Sequence, residues 1–264
     1  NVDDVVKVLE PIWRTKTETA TRVRSRIERI IDWATTRGYR VGENPARWRG
    51  HLENIFPTRG SVQKVKHHKA LPYEKLPEFM QRLRGRSALS ARALELAILT
   101  GGRTSEVIKA RWEEIDLEKR IWTTPAERMK RRKDHRVPLS DASIRLLDGL
   151  AEVFERQGWL FPSMTKRGKP LSTGAMASLL GKQMKQTDAT VHGFRSTFRT
   201  WVAEQTDHWP DIAETALSHS VGSKVERAYQ RRDLLEKRRE LMAAWAQYCG
   251  SASPSTKRAK RKKR

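Results

Sequence analysis

Thr100-Gly-Gly-Arg-Thr-Ser-Glu-Val-Ile-Lys-Ala-Arg-Trp112 is followed by Arg120-Ile-Trp-Thr-Thr124 and His135-Arg-Val-Pro-Leu139. In the first segment a glycine pair interrupts one helix. Thr104 is placed to cap the next, which carries Val107, Ile108 and Trp112. The other two segments read as short strands joined by the basic loop Glu127-Arg-Met-Lys130-Arg-Arg-Lys-Asp-His135. Outward from this hairpin the pattern is helical on both sides. Residues 75–84 and 88–99 precede it, and 141–156, 173–186, 192–206, 211–218 and 223–247 follow it. The fold class expected is mainly α with a small antiparallel β-sheet.

Residues 1–60 read as a helical domain of their own. Thr15 and Glu18 have capping-box spacing. Ala20, Val23, Ile27, Ile30, Ile31 and Ala34 then recur at helical spacing, with Arg22, Arg26 and Arg29 off that stripe as a cationic outer face. Gly38 is placed to end this helix. Asn44-Pro45 marks a turn, and Trp48, Leu52 and Ile55 suggest a second helix. Residues 61–74 read as a basic linker through Lys64, Lys66, His67, His68 and Lys69. Solvation and contact with a DNA backbone explain that stretch equally well. Residues 75–248 form the larger domain, and 249–264 read as a disordered basic tail.

The chain has 264 residues, with 54 Lys and Arg against 31 Asp and Glu, a formal net charge of +23. The last 14 residues hold seven Lys or Arg and no acid, so the body still carries +16 without them. A body this basic implies a polyanionic partner, nucleic acid above all. A hydrophobic share of 37%, with nine Trp and six Phe, supports a buried core. The single cysteine, Cys249, excludes an internal disulfide framework and a Cys-built zinc site. No apolar run nears the roughly 18 residues of a membrane span.

The sequence lacks G-x-x-x-x-G-K-[ST], H-E-x-x-H and G-x-S-x-G, and its acids do not cluster as a two-metal nuclease requires. Chemistry on nucleic acid is then expected to use no metal and no cofactor, its cations coming from side chains. Metal-free phosphodiester transfer needs two arginines for the equatorial oxygens, an in-line nucleophile and a general acid. Arg103 lies beside a glycine pair at a helix start, where free amides favour an anion, and Glu106 is spaced to orient it. His192 and Arg195 are three apart and share a helix face. His219 follows a helix in Leu217-Ser-His-Ser-Val-Gly222. Tyr229 lies ten residues further, in Arg227-Ala-Tyr-Gln-Arg231. Its phenol titrates near ~10 in water, so cations or a proton acceptor must help it attack. A lysine in the hairpin loop, Lys130 or its neighbour Lys133, suits the general acid. Arg131 and Arg132 suit solvation or phosphate contact, and His135 is a supporting candidate.

In this order, Arg103, Lys130, His192-x-x-Arg195, His219 and Tyr229 resemble the tyrosine recombinase (phage integrase) family. The segments T-G-G-R-T-S-E-V, E-R-M-K, H-R-V-P-L-S, H-G-F-R-S-T-F-R-T-W, L-S-H-S and V-E-R-A-Y carry the resemblance, in wording closest to P4-type prophage integrases. It covers about residues 70–247, and P-I-W-R-T-K-T-E-T-A resembles the family's core-binding domain.

The resemblance implies that Tyr229 attacks the scissile phosphate, forming a 3′-phosphotyrosyl link and freeing a 5′-hydroxyl. Arg103 and Arg195 then hold the non-bridging oxygens, Lys130 is the general acid, His192 assists proton transfer and His219 bonds the phosphate. It implies recombination at double-stranded DNA attachment sites, integrating or excising a prophage or genomic island. The agent is a homotetramer on DNA, a monomer when free, in the bacterial cytoplasm and not in a membrane. P4-type integrases also carry an N-terminal arm-binding domain, which nothing here resembles; the chain reads as starting inside the helical region. The closing segment, with Leu234, Leu235, Leu241, Met242 and Trp245, reads either as a helix docked on a neighbouring protomer or as one packed on its own domain. Two other readings stand beside recombination: a type IB topoisomerase-like strand transferase, and a catalytically decayed DNA-binding remnant.

Overall fold

Asn1 caps the first helix. Its side-chain oxygen accepts from the Asp4 amide at 3.1 Å. Val5, Leu9 and Trp13 then recur every fourth residue, so α1 (Val2–Trp13) turns one apolar stripe inward. The computed structural model describes residues 1–62, 68–129, 132–219 and 233–251. The chain divides between His67 and His68 into two units, each with its own core.

In the first unit α2 (Thr17–Thr36) follows α1 after a three-residue turn. The capping box expected at Thr15 does not form. Lys16 holds the cap position, and the Thr15 hydroxyl donates back to the Pro11 carbonyl at 3.3 Å because the turn is so tight. Glu18 pairs with Arg22 and Arg59 instead. The apolar stripe of α2 is shorter than expected: Ile30 is 65% exposed. Arg24 is buried in its place and donates to the Ala46 carbonyl at 2.7 Å. Arg22, Arg26 and Arg29 are exposed. Gly38 follows the helix end with φ +74°. The helix expected around Trp48–Ile55 is only a 3-10 turn (Leu52–Asn54). Gly50, at φ +67°, cannot continue a right-handed helix. Trp48 stacks on Trp13 at 5.5 Å, Leu52 is buried, and Ile55 faces solvent. A short α3 (Arg59–Val62) ends the described part of this unit.

The second unit is built around α5 (Leu89–Thr100), apolar on nearly every side and buried throughout its second half. Its one buried acid, Glu95, is held by Arg84 at 2.6 Å and Arg92 at 2.8 Å. Helix α4 (Leu76–Arg84) packs on it, as do α7 (Asp141–Ala151) and α8 (Ala175–Ser178). The hairpin is present as β2 (Ile121–Thr124) and β3 (His135–Pro138), antiparallel with Trp122 opposite Val137 and Thr124 opposite His135. A two-residue β1 (Ile115–Asp116) adds a third strand, in the order β1-β2-β3.

Several expected boundaries move. Trp112 lies in a separate 3-10 turn (Trp112–Glu114) beyond α6 (Thr104–Ile108). The helix expected over 141–156 ends at Ala151, and that over 173–186 becomes α8 followed by a π-helical turn (Leu179–Gln183). Helices α9 (Gly193–Gln205) and α10 (Pro210–Ala216) lie near their expected places. A continuous helix over 223–247 is not found. Residues 220–232 lie outside the described residues; α11 (Leu235–Cys249) starts after Leu234, whose φ of +53° breaks helical continuity. Helix α11 packs on its own unit: Leu241, Met242 and Trp245 are buried, and the Trp245 indole donates to the Ile98 carbonyl at 2.8 Å.

The linker expected over 61–74 is corrected at its second half. Leu71 is buried, and the Lys69 carbonyl accepts from the Thr190 amide at 3.0 Å. Residues 63–67 lie outside the described residues, Lys64 and Lys66 among them. The expected tail is corrected at its start, because Cys249 is buried as the last residue of α11; residues 252–264 are outside the described residues. Among the described residues no helix is long and apolar enough to cross a membrane.

Candidate active site

The end of α5 builds the first half of the site. Gly101 adopts φ +63°, and a Cβ on Gly102 would lie 2.8 Å from a Val107 methyl, so two glycines are needed for so tight a helix-to-helix turn. The turn leaves Arg103 at the cap position of α6, and Thr104, expected as the cap, is the first helical residue. Glu106 accepts from the Arg103 amide at 2.9 Å and from its Nη1 at 2.7 Å, which orients the guanidinium. The side chain of Arg103 is 27% exposed and that of Glu106 8%.

The second half comes from α9 and the end of α10. Arg195 is buried, on the face of α9 next to Phe194 and Phe198. Its Nη1 donates to the Gly101 carbonyl. Its Nη2 donates to the Leu217 carbonyl at 2.6 Å and lies 2.9 Å from His219 Nε2. The same Leu217 carbonyl receives Arg103 Nη2 at 3.4 Å, and the Ser218 carbonyl receives it at 3.3 Å. Ser218 has φ +53°, a conformation that costs an L-residue about 1–2 kcal/mol. It ends the α10 region so that two carbonyls face two guanidinium groups. Burial, with Arg103 alongside, pushes the Arg195 guanidinium down to about 10, so it stays charged at neutral pH. Its Nε–H is buried without a hydrogen-bond partner among the described residues.

His192 holds the cap position of α9. Partial burial, then the neighbouring cationic groups led by Arg195, hold it below its ordinary value, which favours the neutral ring. Its ring lies 4.7 Å from that of His68. His219 is fixed by Glu214, five residues earlier: the carboxylate lies 2.6 Å from Nδ1, and the His219 amide donates to the Glu214 carbonyl at 2.8 Å. Burial raises the Glu214 carboxyl, but its bonds to Arg199 and His219 outweigh that and keep it low.

His135 lies on β3 and its Nε2 is 3.3 Å from the Ala216 carbonyl. Burial, then Arg238, pushes it down to about 4, so the neutral ring donates to that carbonyl. Its neighbour Arg136 grips Asp233 through two bonds of 2.8 Å. The buried Arg238 donates to the Arg136 carbonyl at 2.6 Å. Strand β3 thus anchors the chain on either side of residues 220–232.

Arg103, Glu106, His192, Arg195 and His219 are therefore brought together. Lys130, Arg131 and Tyr229 lie outside the described residues. Arg132 and Lys133 are exposed. Lys69 donates to the Thr187 carbonyl at 3.1 Å. Sequence reasoning missed His68, Glu214 and Arg199. Only the five-residue spacing of Glu214 and His219 is local enough to have hinted at them.

Gly193, between His192 and Phe194, has no room for a side chain, because a Cβ there would collide with the Lys69 carbonyl. Gly193→Ala is expected to cost about 1–3 kcal/mol by overpacking. Thermal unfolding should show this as a Tm lowered by about 2–12 °C. An unchanged Tm would contradict the close approach.

The model of the phage integrase family matches residues 69–235, and that of the phage integrase central domain matches residues 1–51. The chain is 33% identical over 245 residues to prophage integrase IntA of Escherichia coli, covering 92% of this chain and 57% of that protein. It is 33% identical over 252 residues to the integrase of Enterobacteria phage P4, covering 88% and 55%. The chain thus spans a little over half the length of these curated relatives. Among solved structures it is similar to the lambda integrase tetramer bound to a Holliday junction, with a TM-score of 0.61, 18% identity, and coverage of 85% of this chain and 65% of that one. It is also similar to the Tn1549 transposon integrase in complex with circular intermediate DNA, with a TM-score of 0.61, 13% identity, and coverage of 100% and 85%.

Proposed function

Because the chain belongs to the phage integrase family, we propose that it cuts and rejoins double-stranded DNA at attachment sites through a 3′-phosphotyrosyl intermediate. One observation carries this reading: Arg103 and Arg195 converge on the Leu217 carbonyl beside His219. Two guanidinium groups bonded to one carbonyl concentrate positive charge there, and Glu106 is bonded to only one of them, so the place favours an anion. A phosphate oxygen also gives the buried Arg195 Nε–H an acceptor.

The roles follow from the chemistry. Tyr229 attacks the scissile phosphorus, its phenolic proton leaves, and the bond to the 5′ oxygen breaks. Arg103 and Arg195 bind the non-bridging oxygens, whose negative charge grows in the transition state. His219 adds a third contact to the phosphate once Nε2 carries a proton to donate. Held toward its neutral form, His192 is suited to relay a proton. Lys130, with Lys133 beside it, protonates the departing 5′ oxygen. Reversal with the 5′-hydroxyl of another strand completes an exchange, and no metal, nucleotide or other cofactor enters a step. The cationic face of Arg22, Arg26 and Arg29 on α2 tracks phosphates, as do Lys64, Lys66, Lys69, Arg131 and Arg132. The active assembly is a homotetramer on two duplexes, formed from monomers, in the bacterial cytoplasm and on the nucleoid when bound. It integrates or excises a prophage or genomic island.

The test is a nicked duplex whose cleaved end is lost by diffusion. A protein–DNA adduct that survives denaturant, carries the 3′ phosphate and forms equally well in a chelator is expected. Absence of any adduct, or linkage to a 5′ phosphate, overturns the reading.

A further inference from the structure

His219 sits between two groups whose hydrogen-bonding roles are not negotiable. Its Nδ1 is 2.6 Å from Glu214 Oε2, and an ionised carboxylate only accepts. Its Nε2 is 2.9 Å from Arg195 Nη2, and a guanidinium only donates. Both contacts are satisfied by one neutral form of the ring, with the proton on Nδ1 and the lone pair on Nε2. The carboxylate is itself fixed, because Arg199 Nε donates to its other oxygen, Oε1.

We propose that Glu214 and Arg199 are positioning residues that determine which nitrogen of His219 carries the proton. Glu214 accepts the Nδ1–H hydrogen bond, so Nε2 accepts from Arg195 in the free protein and is the nitrogen that gains a proton to donate when a phosphate takes Arg195. Arg199 prevents the carboxylate from rotating away. Among the described residues, Glu214 from α10 and Arg195 from α9 touch the ring, Arg199 from α9 holds the far side of the Glu214 carboxylate, Arg103 at the start of α6 bonds the neighbouring Ser218 carbonyl, and His192 lies at the cap of α9. Among the described residues Glu214 is the acid bonded to the imidazole, so it also supports a positive charge on the ring when a phosphate draws Arg195 away. The consequence for strand transfer rests on the function proposed above; the tautomer assignment does not.

A conservative substitution gives a distinctive result. In Glu214→Gln one end of the amide is oxygen and the other is NH₂. Arg199 can only donate, so it claims the oxygen and leaves the NH₂ facing Nδ1. The imidazole must then move its proton to Nε2, where it meets the Arg195 donor head-on. Glu214→Gln should therefore invert the tautomer. Adding Arg199→Ala frees the amide to flip, present its oxygen to Nδ1 and restore the original tautomer.

The experiment labels the histidines with ¹⁵N in the full chain without DNA, at about pH 8, above the ordinary histidine range. His219→Gln identifies the resonances. The expected pattern is a protonated Nδ1 in the parent chain, a protonated Nε2 in Glu214→Gln, and a protonated Nδ1 again in the Arg199→Ala/Glu214→Gln double variant. Adduct formation should fall about 10- to 100-fold in Glu214→Gln, the worth of one charge-assisted hydrogen bond, because a neutral amide no longer supports the positive charge His219 takes on when Nε2 gains the proton it donates to a phosphate. A parent ring protonated on Nε2, an unchanged nitrogen pattern in Glu214→Gln, or a double variant with the nitrogen pattern of the single one overturns the proposal. A parent chain with the expected nitrogen pattern but no adduct sinks the strand-transfer reading and upholds the tautomer assignment.

Discussion

Tyr229→Phe is expected to leave no denaturant-resistant protein–DNA adduct while binding DNA within about twofold of the parent affinity. The substitution removes one oxygen, and that oxygen is the atom proposed to bond to phosphorus. The proposed binding draws on many Lys and Arg contacts to phosphates, so one neutral phenol would contribute little to it. The other three tyrosines are poor substitutes. Tyr39 belongs to the first unit and is 73% exposed. The Tyr248 hydroxyl donates to the Tyr73 carbonyl at 3.1 Å, and burial pushes its phenol up to about 12. The Tyr73 phenol is also raised, chiefly by its hydrogen bond to Glu204. A phenol held above its ordinary range gives up its proton less readily and attacks more slowly. An adduct still formed by Tyr229→Phe at more than a percent of the parent rate would assign the nucleophile to another residue.

The helices with strong periodicity were legible because burial and periodicity agree there. Phe194, Phe198, Trp201 and Val202 all lie in the core, and the apolar run of α5 reads as a central helix because it is one. The hairpin was legible from Ile121-Trp-Thr-Thr124, whose residue types favour strands. Strand β1 was not, since two residues are too few to alternate. The misread segment at Trp48–Ile55 fails for a backbone reason. Its apolar spacing is helical, but Gly50 takes a left-handed conformation that no hydrophobic pattern reports. The linker was misjudged because Lys69 is polar in composition yet its carbonyl is bound by Thr190, 121 residues later.

The site was legible where its contacts are local. Arg103 and Glu106 are three apart and bonded as that spacing allows. The rest depends on contacts across long stretches of chain. Nothing in His68 and His192 separately says that their rings meet. The carbonyls of Gly101 and Leu217 are invisible to any reading of side chains, yet they hold Arg195 in place. Glu214 reads as one acid on a short helix until His219 and Arg199 are seen on either side of its carboxylate.

Arg195→Ala is expected to slow adduct formation by about two to three powers of ten, or about 2.7–4 kcal/mol of transition-state stabilisation. The buried guanidinium also spans Gly101, Leu217 and His219, so its loss leaves two carbonyls without that donor and must cost stability as well. Two further variants separate these effects. Arg195→Lys keeps the charge, but one ammonium cannot reproduce a planar fork that reaches three acceptors. It should remain folded and still lose at least about tenfold in rate. Arg103→Ala removes the more exposed partner, whose bonds to Leu217 and Ser218 are long, 3.3–3.4 Å. It also takes the 2.7 Å bond from the nearly buried Glu106, so its Tm should fall too, while its rate falls by a factor similar to that of Arg195→Ala if both arginines hold the same phosphate as proposed. Rates measured below each variant's unfolding transition decide the matter. Arg195→Ala within tenfold of the parent, in a chain shown to be folded, would remove the guanidinium clamp from the mechanism. Rate losses that tracked Tm across all three variants would make these arginines supports of the fold and not ligands of the phosphate.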